Sequence, residues 1–174
     1  VEAYSGFLRE RLQSGRLDIA LLYDDAMDAG LTKRPLLDDQ LVLVTHAQQQ
    51  LPEKVSMTEM AQQPLVLPGR EHGLRRSIDD ACLPLGLELK VVAEIESLSS
   101  VKRATEAGIG GTILPLGAVA EEVAQGRLRT TTIDSPRMSR RVLCATNATR
   151  PASLAAAAVL QLIREVTHDM VESD

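Results

Sequence analysis

The stretch EIESLSSVKRATEAGIGGTILP, Glu94 to Pro115, constrains the fold more than any other part of the chain, because three structural signals follow one another in it. VVAEI, Val91 to Ile95, is a β-branched run that reads as a strand. Ser97 then offers a side-chain oxygen to the orphan N–H groups of a helix that carries Leu98, Val101, Ala104 and Thr105 at helical spacing. Gly108 ends that helix, since a left-handed residue is free of strain there only as glycine. Gly110 and Gly111 permit close backbone packing before Thr112, Ile113 and Leu114 extend into a second buried strand, which Pro115 ends. Strand, helix and strand in this order imply an α/β fold with parallel pairing. A helix that begins at the carboxyl end of a parallel strand points its free N–H groups, here those of Ser97, Leu98, Ser99 and Ser100, into a ligand crevice.

The rest of the chain repeats the theme. VEAYS reads as the tail of a strand, Phe7, Leu8 and Leu12 as the stripe of a short helix, and Gly15 as its stop. GRLDIALLYD is too apolar for a one-sided strand and reads as a central parallel one, with Tyr23 and Asp24 at its far end. DAMDAG is a polar connection, after which LTKRPLLDD and QLVLVTH form two extended segments, Leu41 to Val44 being buried on both faces. SMTE, Ser56 to Glu59, matches a capping box. In PLVLPGREHGLRRSIDDACLPLG a short buried strand, Leu65 to Leu67, runs into a loop and then a helix with Leu74, Ile78, Ala81 and Cys82 on one side and Asp79 and Asp80 on the other. Arg70, Glu71 and His72 therefore sit on a strand-to-helix loop, either as a solvated turn or as contacts to a bound acid. Arg70 is the best candidate for the latter, because a guanidinium offers a fork of donors matched to a carboxylate. GAVAEEVAQG gives a short helix with Val119 and Val123 one turn apart, and LRTTTI and RRVLCAT are strands joined by the turn DSPRMS. Arg137, Arg140 and Arg141 form a small basic cluster that is either solvated surface or a binding patch. The final run from Ser153, with Leu154, Ala158, Ile163 and Val166 among its apolar positions, is built of strong helix formers.

Several function classes are disfavoured by what the chain contains. A net charge of −5 does not suit a surface that must neutralise phosphates. With Phe7, Tyr4 and Tyr23 as the three aromatic residues, the interior must be built from Leu, Val, Ile and Ala. Cys82 and Cys144 read as reduced, buried thiols of a cytosolic protein. No apolar run reaches the length of a membrane span. His72 beside Glu71 lacks further ligands at metal spacing, and His46 and His168 stand alone in polar surroundings. Ser97, Ser99 and Ser100 lack a nucleophile elbow, and Gly108-Ile-Gly-Gly precedes a strand instead of opening a helix, so it is no dinucleotide fingerprint.

In their order and spacing, GRLDIALLYD, PLVLPGREHGLRRSIDDA and EIESLSSVKRATEAGIGGTILP resemble the effector-sensing, substrate-binding domain of LysR-type transcriptional regulators. The resemblance implies a two-lobed, type II periplasmic-binding-protein-like α/β fold with parallel-rich sheets flanked by helices. Residues 1–45 and 146–174 would form the first lobe and 46–145 the second, although HAQQQLPEK departs from the family's His-Pro-Leu-like turn at the crossing near Thr45 and His46. The family's winged helix-turn-helix, and the opening strand and helix of its sensor domain, would lie before Val1. The first lobe would then be incomplete and the fragment would self-associate as a homodimer or higher, with DNA contacted only through the missing domain and no membrane partner. Carried over residue by residue, the family's effector cleft falls on Ser5, Tyr23, Pro68, Gly69, Arg70, Glu71, His72, Ser97 and Leu98. The expected ligand is a small anionic metabolite, bound weakly because part of the family's site is missing, in a cytoplasmic regulator with no metal, no cofactor and no catalysis of its own. A solute-binding protein of a transporter shares the architecture and is the alternative, followed by a small α/β enzyme.

Overall fold

The computed structural model describes residues 5–23, 29–134 and 136–172, side chains at 5 and 168–172 excepted. The strand tail expected in VEAYS up to Tyr4, Asp24, most of the DAMDAG connection and Ser135 of the DSPRMS turn lie outside the described residues. The chain forms two compact units, 1–38 with 141–174 and 39–140.

The first unit contains helix α1 (Ser5–Gln13), strand β1 (Ile19–Leu22), the start of β2 (Leu31–His46), most of β8 (Ser139–Asn147) and helix α6 (Leu154–Glu172). Ser5 thus opens a helix instead of ending a strand. Gly15 stops the α1 segment at φ 71°, as expected, and its carbonyl accepts from Arg150 Nη1 at 2.8 Å. The expectation for GRLDIALLYD is corrected in two respects. Among the described residues β1 pairs with β8 alone, and that pairing is antiparallel, from Ile19 opposite Thr146 to Leu22 opposite Leu143. Ala20 and Leu22 are buried while Leu21 between them is 45% exposed, so a run of apolar residues hides an ordinary one-sided strand. Leu8, Leu12, Ala20, Leu22 and Ala145 form the core here. Ser153 Oγ accepts the Ala156 amide at 3.1 Å and starts α6, whose Ala156 is buried. Leu154, at 93% exposed, and the half-exposed Val159, Leu162 and Val166 show that its apolar positions are mostly not core.

The second unit is larger. LTKRPLLDD and QLVLVTH turn out to be one continuous strand, β2, of 16 residues, and the chain passes between the units inside β2 and β8, upstream of the crossings near 45 and 146 read from sequence. In β2, whose Leu41 to Thr45 are buried, Leu41 to Val44 pair antiparallel with β6 (Thr112–Pro115) on one side and Val42 to His46 with β7 (Leu128–Asp134) on the other. β3 (Lys54–Ser56) runs parallel to β7, and β4 (Leu65–Leu67) runs parallel to β5 (Val91–Glu94). A parallel bridge from Leu65 to Gly111 joins β4 to the approach of β6. The sheets are therefore mixed, with parallel pairing at those places among the described residues.

Helices α2 (Met57–Ala61), α3 (Gly73–Cys82), α4 (Leu98–Glu106) and α5 (Ala120–Ala124) complete this unit. The capping box is present as read: Ser56 Oγ accepts the Glu59 amide and the Glu59 carboxylate accepts the Ser56 amide. Its bonds to Ser56 hold the Glu59 carboxyl below the usual carboxylate range. Leu74, Ile78 and Cys82 of α3 and Val101, Ala104 and Thr105 of α4 face the core, whereas Leu98 is exposed. Gly108 adopts φ 75° behind α4. A Cβ at Gly110 would stand 2.8 Å from the Pro64 carbonyl, and one at Gly111 would stand 3.1 Å from the Val44 carbonyl, so the close approach expected of these glycines is real. GAVAEEVAQG splits into a 3-10 turn at Leu116–Val119 followed by α5. Lys102 of α4 fastens that segment by an ion pair to buried Glu122 at 2.5 Å and a bond to the Ala118 carbonyl.

Candidate functional site

Buried strand β4 ends at Leu67, buried Pro68 follows, and the chain turns through Gly69, Arg70, Glu71 and His72 into α3. Its parallel neighbour β5 ends level with it, Leu67 standing opposite Glu94, and the Ile95 amide donates to the Leu67 carbonyl at 3.0 Å. Glu96, Ser97 and Leu98 follow and lead into α4. Two parallel strands thus deliver their following loops to one end, the geometry that gathers ligand groups at the carboxyl edge of an α/β sheet. A direct bond ties the loops together, from the Gly69 amide to Glu96 Oε1 at 2.9 Å. Pro68 to His72 and Ser97 with Leu98 are brought to this end.

The roles of individual residues differ from those read in the sequence. Ser97 has the extended backbone of an N-cap residue, φ −84° and ψ 123°, but its side chain caps no amide. Its carbonyl accepts from both Ser100 and Val101, a tight first turn, while its hydroxyl lies 3.0 Å from Ser99 Oγ. The capping expected of Ser97 is performed on the other helix by His72, whose Nδ1 accepts the Leu74 amide at 3.0 Å. Burial pushes the His72 imidazole below its usual pKa, Glu96 draws it back up, and Arg140 and Arg76 add to the lowering. Arg70 and Glu71 are exposed. Arg70 also borders a shallow open depression of about 360 Å³ with Arg75, Val91, Val92 and Glu94, which does not include His72, Ser97 or Leu98. Tyr23 follows β1 in the first unit and is partly exposed, and Ser5 opens α1 there.

Two residues of this region escaped the sequence reading. Arg75 is 4% exposed on α3 and carries three sets of partners: Nε reaches Asp79 at 3.0 and 3.1 Å, and Nη1 reaches the Pro68 carbonyl at 3.2 Å and Glu94 Oε1 at 3.1 Å. The i,i+4 spacing to Asp79 was its one visible signal. Glu96, the residue before Ser97, was overlooked because it stood outside the apolar pattern. Among the described residues no group of three or more His, Cys, Asp or Glu is placed to hold a metal. Cys82 and Cys144 are buried, and burial raises the pKa of both thiols, which leaves them in the unreactive protonated form. No helix among the described residues is long and apolar enough to cross a membrane.

Comparison with known proteins identifies the family and the fold. The LysR substrate binding domain family matches residues 1–168. The HTH-type transcriptional regulator BbuR of Bordetella bronchiseptica is 37% identical over 130 residues, covering 74% of this chain and 40% of its own. The nitrogen assimilation regulatory protein nac of Klebsiella aerogenes is 32% identical over 133 residues, covering 76% of this chain and 43% of its own. The chain thus spans about two fifths of the length of these relatives. Among solved structures, the regulatory domain of Synechocystis PCC6803 CcmR in complex with 2-PG superposes with a TM-score of 0.85 at 21% identity, over 97% of this chain and 82% of that one. At that identity the likeness concerns the fold, which is of the type II periplasmic-binding-protein-like kind.

Proposed function

The chain belongs to the LysR substrate-binding domain family, and from that premise we propose that it is the effector-sensing part of a transcriptional regulator, takes a small anionic metabolite, and has no catalysis of its own. The supporting observation is the pairing of the loops after β4 and β5, where the Gly69 amide holds the Glu96 carboxylate, Arg70 is exposed, and the charges of Arg76 and Arg140 act on His72. Pro68, Gly69, Arg70, Glu71, His72, Ser97 and Leu98 are the proposed effector contacts in the second unit, and Ser5 and Tyr23 those in the first.

The same reading assigns DNA contact to a part of the regulator outside these residues, in keeping with the net charge of −5, and places the protein in the cytoplasm. Self-association is proposed from the exposed apolar positions Val159, Leu162 and Val166 of α6. BbuR and nac are named as regulators, which favours a sensor over an enzyme. The buried thiols speak against sensing by cysteine oxidation.

Calorimetric titration of the chain with a panel of small carboxylates and phosphate esters tests the assignment. The expected result is saturable binding by at least one of them, weakened about tenfold or more by Arg70→Ala, the effect of removing a charge-assisted bond. Binding that Arg70→Ala and Ser97→Ala both leave unchanged would remove these loops from the site.

A further inference from the structure

The peptide unit between Pro68 and Gly69 is held at both ends by charged side chains. Its carbonyl accepts from Arg75 Nη1 at 3.2 Å, and its N–H donates to Glu96 Oε1 at 2.9 Å. Arg75 cannot easily turn away, because Asp79 and Glu94 fix the rest of its guanidinium and its side chain is almost fully buried. The Glu96 carboxylate comes this close because residue 69 is glycine: a Cβ there would stand 2.7 Å from Glu96 Oε1 and would move the carboxylate. Guanidinium nitrogens of Arg140 and Arg76 approach Gly73, and both charges act with that of Glu96 on His72. A carboxylate thus sits on a backbone donor, as a bound anion would.

We propose that Glu96 is a built-in occupant of an anion seat at the Gly69 amide, that a carboxylate or phosphate ligand enters by replacing it, and that Arg75 is the positioning residue that keeps this amide turned toward the seat. The idea rests on the effector loops assigned above and adds a competitor inside the protein. The affinity of the seat for an external anion is then set by how firmly Glu96 holds it. Emptying the seat leaves the Gly69 backbone donor without its carboxylate, while Arg75, paired to Asp79 and Glu94, still holds the other end of the peptide.

The test follows the Gly69 amide in glycine-labelled protein by NMR while inorganic phosphate, or sodium acetate in a parallel arm, is added to the whole chain. The wild type is expected to respond only at high concentration. Glu96→Ala is expected to bind about tenfold more tightly with Gly69 as the amide most shifted, and Arg75→Lys in that background to reverse most of the gain. Whichever anion gives the tighter response identifies the headgroup chemistry. Equal titration of wild type and Glu96→Ala, or shifts that bypass Gly69, overturns the proposal. Should Glu96→Ala fail to fold, Glu96→Gln keeps the shape without the charge, and wild-type affinity in that variant is equally fatal. The two readings fail separately. Phosphate taken up at Gly69 after removal of Glu96, with no metabolite binding the wild type, keeps the seat and drops the effector role. A metabolite that binds the wild type without moving the Gly69 resonance does the reverse.

Discussion

His72 accepts the Leu74 amide at Nδ1, and an imidazole can do so only while that nitrogen is unprotonated. Its pKa is lowered in the fold, by burial first and then by Arg140 and Arg76 against the opposing pull of Glu96. The unfolded chain, with an ordinary value of about 6.5, binds the proton more readily. The stability this group contributes is therefore complete above about pH 6.5 and lost as the pH falls through the lower folded value. Thermal melts of His72→Asn, which keeps a capping side chain without a titrating one, should lose this component of acid sensitivity. His72→Ala should instead cost about 1 kcal/mol above about pH 6.5, a cost that shrinks as the pH falls and the wild type loses the same cap. The loop that carries His72 was legible in PLVLPGREHG, because Pro and Gly punctuate a strand unmistakably. What its side chains do was not, since histidine as a cap, Ser97 as a non-cap and Arg75 as a buried hub all depend on which neighbour the third dimension supplies.

Elements were read well where short-range chemistry decides them and less well where pairing does. The Ser56 capping box, the αL stop at Gly108 and the buried faces of α3 and α4 follow from local spacing. The antiparallel partner of β1 and the fusion of two segments into β2 do not, because an apolar run carries no record of which strand lies beside it. α6 shows the same limit: a helix apolar on most sides has no unique face to bury. The glycines allow a sharper test at this scale. Gly110→Ala drives a methyl group against the Pro64 backbone and should lower stability by about 1–3 kcal/mol, whereas Gly117→Ala, with open space around it, should be neutral or slightly stabilising. Urea denaturation midpoints distinguish the two outcomes.

At the scale of the whole molecule, the units differ in what holds them. The second has a continuous buried cluster running from Leu41 to Met138, while the described core of the first is small and its longest helix leaves Val159, Leu162 and Val166 half exposed. Amide hydrogen exchange should accordingly be faster in α1 and β1 than in the Leu41–Thr45 part of β2, and uniform protection across both would refute that ranking. Each unit also encloses one thiol, Cys144 in the first and Cys82 in the second. Pulse alkylation followed by peptide mass analysis can therefore time the opening of each half in the same tube, with the native chain acting as its own pair of clocks and no engineered label required.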